Sequence, residues 1–234
     1  MTSSDYKKAK EVVSSELAQA GLHGKVTITK LSWTALEFPT YHVSYTYSEK
    51  TYDDQTVRLE NETTFHDDWS SSSIIFLPDY KKVFLEQKSI KNIEEKLEKE
   101  IKKQSLGLPI EFSIFLSNFY QEEKEEILDS IASQNLKEGK KDFAGYYQIP
   151  FQTLIDQELI RMTIYVDDAV SVKEQDLKAA AKKLDASKLP NGSYSFYYSN
   201  HKDDSEDTLS YSFKVKDGKV VFYEDQQDGL EDQN

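Results

Sequence analysis

Cysteine is absent from the 234 residues. That removes disulfides, thiolate nucleophiles and cysteine-based zinc or iron–sulfur sites. It does not fix a compartment, because cysteine-free chains occur both inside and outside cells. Glycine is scarce, and Gly107, Gly139, Gly145 and Gly192 stand alone, so no glycine-rich phosphate cradle is present. There is no G-x-S-x-G nucleophile elbow. Basic charge is short: 29 Lys and Arg stand against 42 Asp and Glu, for a net charge of −13. A nucleic-acid partner needs a basic footprint, and docking on anionic lipid needs a basic patch, so both are disfavoured. A cationic ligand would be attracted weakly and in a salt-dependent way. No apolar run approaches the roughly 20 residues that span a bilayer. The start Met1-Thr2-Ser3-Ser4 has neither a charged n-region nor an apolar h-region, so it is not a signal peptide. A cytosolic protein and a chain separated from its leader are both compatible. The Tyr-, Ser- and Thr-rich strands favour the second, an extracellular, surface-anchored chain.

The clearest pattern present runs from Ser171 to Tyr223. Ser171 and Glu174 have the spacing of a capping box, and Leu177, Ala180, Ala181 and Leu184 form one helical stripe. Tyr194, Phe196 and Tyr198 then alternate with polar residues, as do Leu209, Tyr211, Phe213 and Val215. Asp217-Gly218 predicts a two-residue hairpin turn, returning Val220 and Phe222 opposite Val215 and Phe213. The N-terminal part has the same order of elements. Ser3 or Ser4 caps a helix with Tyr6, Ala9, Val13, Leu17 and Ala20 on its buried stripe. Val26 and Ile28 continue out of phase with Leu31 and Trp33, which predicts a β-bulge near Thr29-Lys30. Strands follow over Tyr41–Tyr47 and Val57–Phe65.

Between these ends, Ile74–Leu77 reads as a short strand and Tyr80–Gln87 as a strand and linker. Ser89 opens a second helix, Ile110–Leu116 a strand, and Asn118 with Gln121 caps a third helix. Tyr146–Phe151 and Leu159–Val166 read as strands, and Thr153–Gln157 fits a helical turn or a loop. The expected fold is α+β, with helices on antiparallel sheets. Two modules are expected, 1–87 and 88–234. The second sheet can be mixed if the 159–166 strand, a helix and the Tyr194 strand make a crossover. Ser44–Ser48 and Ser195–Ser199 are locally alike, each with a paired Asp downstream. Chance alternation and an internal duplication both account for that.

Few residues carry site chemistry. His66 with Asp67 and Asp68, and His201 with Asp203 and Asp204, offer imidazole and carboxylate ligands for a divalent metal, although the spacing matches no established loop. His23 and His42 read as surface residues. Glu122, Glu123, Glu125 and Glu126 read as a solvated helix face rather than a catalytic pair. Asp167-Asp168 precedes a helix, where charge compensation is the simpler account. Trp33, Tyr41, Tyr45, Tyr47 and Trp69 form an aromatic set that can stack on a sugar or peptide, or pack beneath the first helix.

A helix followed by a Tyr-rich antiparallel meander, over Ser4–Phe65 and again over Ser171–Tyr223, resembles the ectodomains of Gram-positive surface lipoproteins. Within that set it is similar to helix-plus-sheet modules of the PepSY or cystatin-like kind. The resemblance implies a lipidated cysteine upstream of Thr2 and a membrane tether through it. It carries over no functional residue. The expected role is a non-catalytic extracytoplasmic binding module with a protein or glycan partner and no cofactor. A hydrolase using an acidic or histidine site, and an intracellular structural or regulatory protein, are the alternatives.

Overall fold

The computed structural model describes residues 1–35, 39–70, 78–117, 122–168, 170–200 and 207–222. The expected strand at 74–77 and the Asn118/Gln121 cap lie outside them. Six α-helices occur among the described residues: α1 (Ser3–Gln19), α2 (Pro78–Lys81), α3 (Lys88–Lys102), α4 (Glu122–Lys137), α5 (Phe151–Asp156) and α6 (Glu174–Lys183). The strands are β1 (Lys25–Thr34), β2 (Thr40–Lys50), β3 (Thr56–His66), β4 (Ile110–Leu116), β5 (Ile160–Val166), β6 (Gly192–Asn200), β7 (Asp207–Lys216) and β8 (Lys219–Phe222). The fold is α+β, with a three-stranded sheet β1-β2-β3 and a five-stranded sheet β4-β5-β6-β7-β8. The chain forms two compact units. One is Met1–Lys88 with Glu126–Ile149, the other Ser89–Glu125 with Pro150–Asn234. The chain thus crosses between units three times, where the sequence suggests one soft boundary near Gln87-Lys88.

In the first unit, α1 is capped by Thr2, one residue before Ser3, the earlier of the two expected caps. The Thr2 N–H donates to Asp5 Oδ2 at 2.6 Å and the Asp5 N–H donates to Thr2 Oγ1 at 3.3 Å, the reciprocal arrangement that satisfies two free helix donors. Ala9, Val13 and Leu17 are buried as their spacing predicts, whereas Tyr6 is exposed. The antiparallel register shifts between Ile28 and Lys30. This is the predicted bulge, and the extra residue turns Leu31 and Trp33 to the same side as Val26 and Ile28. Val43, Tyr45, Tyr47 and Phe65 complete the inner face, under α1 and against Tyr80, Val83, Phe143 and Tyr147.

Two expected strands in this unit are not strands. Residues 80–86 are helical and only Gln87 is extended, because Tyr80, Val83 and Phe84 recur at helical spacing and all three are buried. Residues 146–149 have Tyr147 and Ile149 alternating like a strand, but the chain there is a left-handed turn and its continuation. Phe143, Ala144 and Gly145 have φ of 48°, 54° and 90°. The polar partners of this stretch are side chains of the β2–β3 hairpin and of α4. The Tyr52 N–H donates to Asp142 Oδ2 at 2.7 Å, and Asn135 Nδ2 of α4 donates to the Gly145 carbonyl at 2.8 Å. Buried Asn135 therefore joins Leu128 and Ala132 on the inner stripe of α4.

In the second unit, β5 and β6 are parallel, joined through α6, and all other neighbours are antiparallel. The second sheet is thus mixed. The α6 cap lies two residues later than Ser171: the Lys173 N–H donates to Asp176 Oδ2 at 2.9 Å. Leu177, Ala180 and Ala181 are buried as expected. Asp217 and Gly218 both have positive φ, 51° and 72°, and Val215 pairs Val220 while Phe213 pairs Phe222. That is the tight hairpin the sequence predicts. On the outer edge of β4, Glu94 of α3 takes one backbone donor: its Oε1 accepts the Ile114 N–H at 2.9 Å and the Ser113 hydroxyl at 2.5 Å.

Candidate functional site: an aromatic row on the three-stranded sheet

The five aromatic candidates divide into two groups. Tyr45 and Tyr47 are core residues, 1% and 0% exposed. They lie in the middle of β2, beneath α1 and the Tyr80–Val83 segment, and a ligand has no access to them. Their hydroxyls are used internally: Tyr80 donates to Tyr45 at 3.1 Å, and Tyr47 donates to Glu49 Oε2 at 2.5 Å while accepting the Gly24 N–H at 2.8 Å. These two residues drop out of the candidate surface.

Trp33, Tyr41 and Trp69 remain. Cross-strand pairing sets Trp33 opposite Tyr41 and Tyr41 opposite Phe65, a row on the inward-phase face of all three strands. Alternation alone would bury that row. It lies at the sheet end remote from the buried Tyr47, and there Trp33 is 46% exposed. Tyr41 and Trp69 are half-buried and Phe65 is buried. The Trp69 ring stacks on Tyr41, with centroids 4.1 Å apart and planes 14° from parallel, and also meets Phe65 at 6.1 Å.

The backbone that delivers Trp69 is strained. The Trp69 N–H donates to the His66 carbonyl and the His66 N–H to the Ser70 carbonyl, both at 2.9 Å. This tight turn requires positive φ at residue 69, and Trp69 has φ of 65°. Glycine is the ordinary occupant of such a position; an L-residue there pays roughly 1–2 kcal/mol. The ring contacts with Tyr41 and Phe65, worth about 0.5–1.5 kcal/mol beyond burial for a good pair, offset that strain.

The metal candidates are placed differently. His66, Asp67 and Asp68 are exposed on the same turn. Asp68 Oδ1 accepts the Ser70 N–H at 2.8 Å, and hydrogen bonding to Ser70 holds its carboxyl below the usual range. Among the described residues no three His, Asp or Glu side chains converge as a metal cluster. His201, Asp203 and Asp204 lie outside the described residues. His42 and His66 point to the outer face of the three-stranded sheet in neighbouring rows, while Asp167 belongs to the other unit.

Sequence reasoning missed the carboxylates that organise the β2–β3 hairpin. Asp53 Oδ1 accepts the Thr51 hydroxyl at 2.6 Å, and Tyr147 and Gln55 also donate to this carboxylate, at 3.1 and 2.9 Å. Burial alone would raise the Asp53 pKa; these bonds outweigh it and hold the carboxyl low. Thr51 and Gln55 are two residues from Asp53, but Tyr147 is 94 positions away, beyond the reach of any local pattern.

Comparison with family models, with characterised proteins and with solved structures finds no match. No helix among the described residues is long and apolar enough to cross a membrane.

Proposed function

We propose that this chain is a non-catalytic binding module that works outside the cytoplasm and engages a protein or glycan partner through Trp33, Tyr41 and Trp69. One observation carries the reading. A bulky Trp69 is held at positive φ, against its backbone preference, with its ring stacked on Tyr41, the cross-strand neighbour of the exposed Trp33. Unfavourable backbone geometry persists where the surroundings over-determine it and concentrates at binding and catalytic sites. Large aromatic rings at a surface supply contact area at low cost in side-chain entropy, which suits sugar faces and apolar peptide side chains.

Faces are favoured over three of the four sheet edges as the contact surface. The bulge twists the β1 edge, Glu94 occupies the β4 edge, and β8 is four residues long and flanked by Lys216 and Lys219. Each is a recognised way of blocking strand addition. The extracytoplasmic assignment rests on composition, on strands rich in Tyr, Ser and Thr. Fractionation of the producing cell, with the mature N-terminus sequenced, tests it.

The chain contains two tryptophans, both in the proposed contact, so intrinsic fluorescence reports directly. Titration with soluble oligosaccharides and with unstructured peptides is expected to shift tryptophan emission for one class. Trp33→Ala, at an exposed position, should abolish binding while the protein stays folded. Emission unmoved by either class, or binding that survives Trp33→Ala, removes this surface from consideration.

A further inference from the structure

We propose that the outward face of β1-β2-β3 carries a second binding site, a polar depression that takes an acidic sugar. The bulge creates this face. By resetting the alternation of β1, it turns Lys30 and Ser32 outward. Register then sets Lys30 opposite Ser44 and Ser44 opposite Glu62, and in the next row Ser32 opposite His42 and His42 opposite Thr64. These six side chains line a depression of about 380 Å³, within the roughly 300–1,000 Å³ of small-ligand sites. It lies on the face opposite the aromatic row and does not depend on that site.

Charge selects the ligand. In a chain with 42 acidic and 29 basic residues, lysines commonly find carboxylates: Lys102 meets Glu98 at 2.7 Å, Lys140 meets Glu138 at 2.7 Å and Lys214 meets Glu158 at 2.8 Å. Lys30 has no such partner among the described residues. Glu62 is in its own row, but with β2 between them the two backbones are about 10 Å apart, twice the strand spacing. That gap accommodates a sugar ring.

A carboxylate on the ring would meet Lys30 and His42. The ring hydroxyls would exchange hydrogen bonds with Ser32, Ser44 and Thr64. Glu62 Oε1 already accepts the Ser44 hydroxyl at 2.8 Å, and a carboxylate has about four acceptor positions, so it retains capacity for a ligand hydroxyl. A simple anion satisfies Lys30 but is repelled by Glu62. A neutral sugar satisfies Glu62 and leaves Lys30 unused. An acidic sugar uses both.

The test is an amide NMR titration of the full chain with glucuronate, alongside acetate and glucose. Glucuronate is expected to shift amides at 30–32, 42–44 and 62–64 and to bind more tightly than either control. Lys30→Gln and Glu62→Gln, both at exposed strand positions, should each weaken it about tenfold, the loss of one charge-assisted hydrogen bond, with thermal midpoints unchanged. Trp33→Ala should leave it intact. No shifts with glucuronate, equal shifts with acetate or glucose, or full affinity in Lys30→Gln would overturn the proposal.

Discussion

The Phe143 backbone N–H donates to Glu49 Oε1 at 3.0 Å, and the other oxygen of the same carboxylate takes the Tyr47 hydroxyl. One side chain at the end of β2 thus fixes a left-handed turn more than ninety residues away and the most buried tyrosine of its own strand. Removing it leaves two buried or half-buried donors unpaired. Glu49→Ala is expected to lower stability by about 2 kcal/mol, within the range for hydrogen bonds to a charged acceptor. A denaturant melt with a lower midpoint and unchanged slope would show it; a midpoint shift near zero would mean that water replaces the carboxylate without loss.

The turn itself stores strain at Ala144, whose φ is 54°. Glycine adopts that conformation without a Cβ clash, so Ala144→Gly should raise stability by up to about 1 kcal/mol. Phe143 is at a similar φ but is fully buried against Tyr47 and Tyr147. There the side chain outweighs the backbone, and Phe143→Ala should cost about 3–5 kcal/mol. Opposite signs at adjacent residues make thermal melts of the pair a sharp check.

Burial pushes the Tyr147 phenol up to about 12; the negative charge of Asp53 adds to the shift and a hydrogen bond with Thr51 opposes it. The folded state therefore holds this proton more tightly than the unfolded chain, whose phenol ionises near pH 10. Its stabilising contribution is complete below about pH 10 and is lost as pH rises through about 12. Tyr147→Phe should be less stable than the parent at neutral pH, having lost its bonds to Asp53 and Gln55, but the gap should narrow at pH 11. A gap of constant size across the titration would refute the linkage.

Glu94 covers backbone that an incoming strand would otherwise use. Glu94→Ala should raise self-association measured by light scattering, because β4 regains a free edge. Scattering indistinguishable from the parent at matched concentration would show that the edge is blocked by other means.

The sequence was most legible where partners are local. The bulge at Thr29, the Asp217-Gly218 hairpin and the stripes of α1 and α6 all follow from alternation or helical spacing within about ten residues. Tyr147 and Ile149 alternate like a strand but belong to a turn whose shape is set by Glu49 and Asp53, far away in the chain, together with the nearer Asn135. The aromatic row was readable as a set of residues, yet not its division. Tyr45 and Trp33 face the same side in the same alternation, and only helix placement decides which is covered. Topology also bears on the likeness of Ser44–Ser48 to Ser195–Ser199. After their helices, β6 is the first strand of its meander and β2 the second, so matching the elements does not match the sequences.

Because residues 126–149 belong with the first unit, its core cannot close in the order the chain is made. A ribosome that has released only residues 1–88 has delivered the sheet and α1 without Phe143 and Tyr147, which pack into the same core. The N-terminal strands must wait, partly open, while Ser89–Glu125 of the other unit is synthesised. Vectorial folding, domain by domain, is closed to this topology. Any cut between residues 88 and 126 would part the N-terminal sheet from pieces of its own interior.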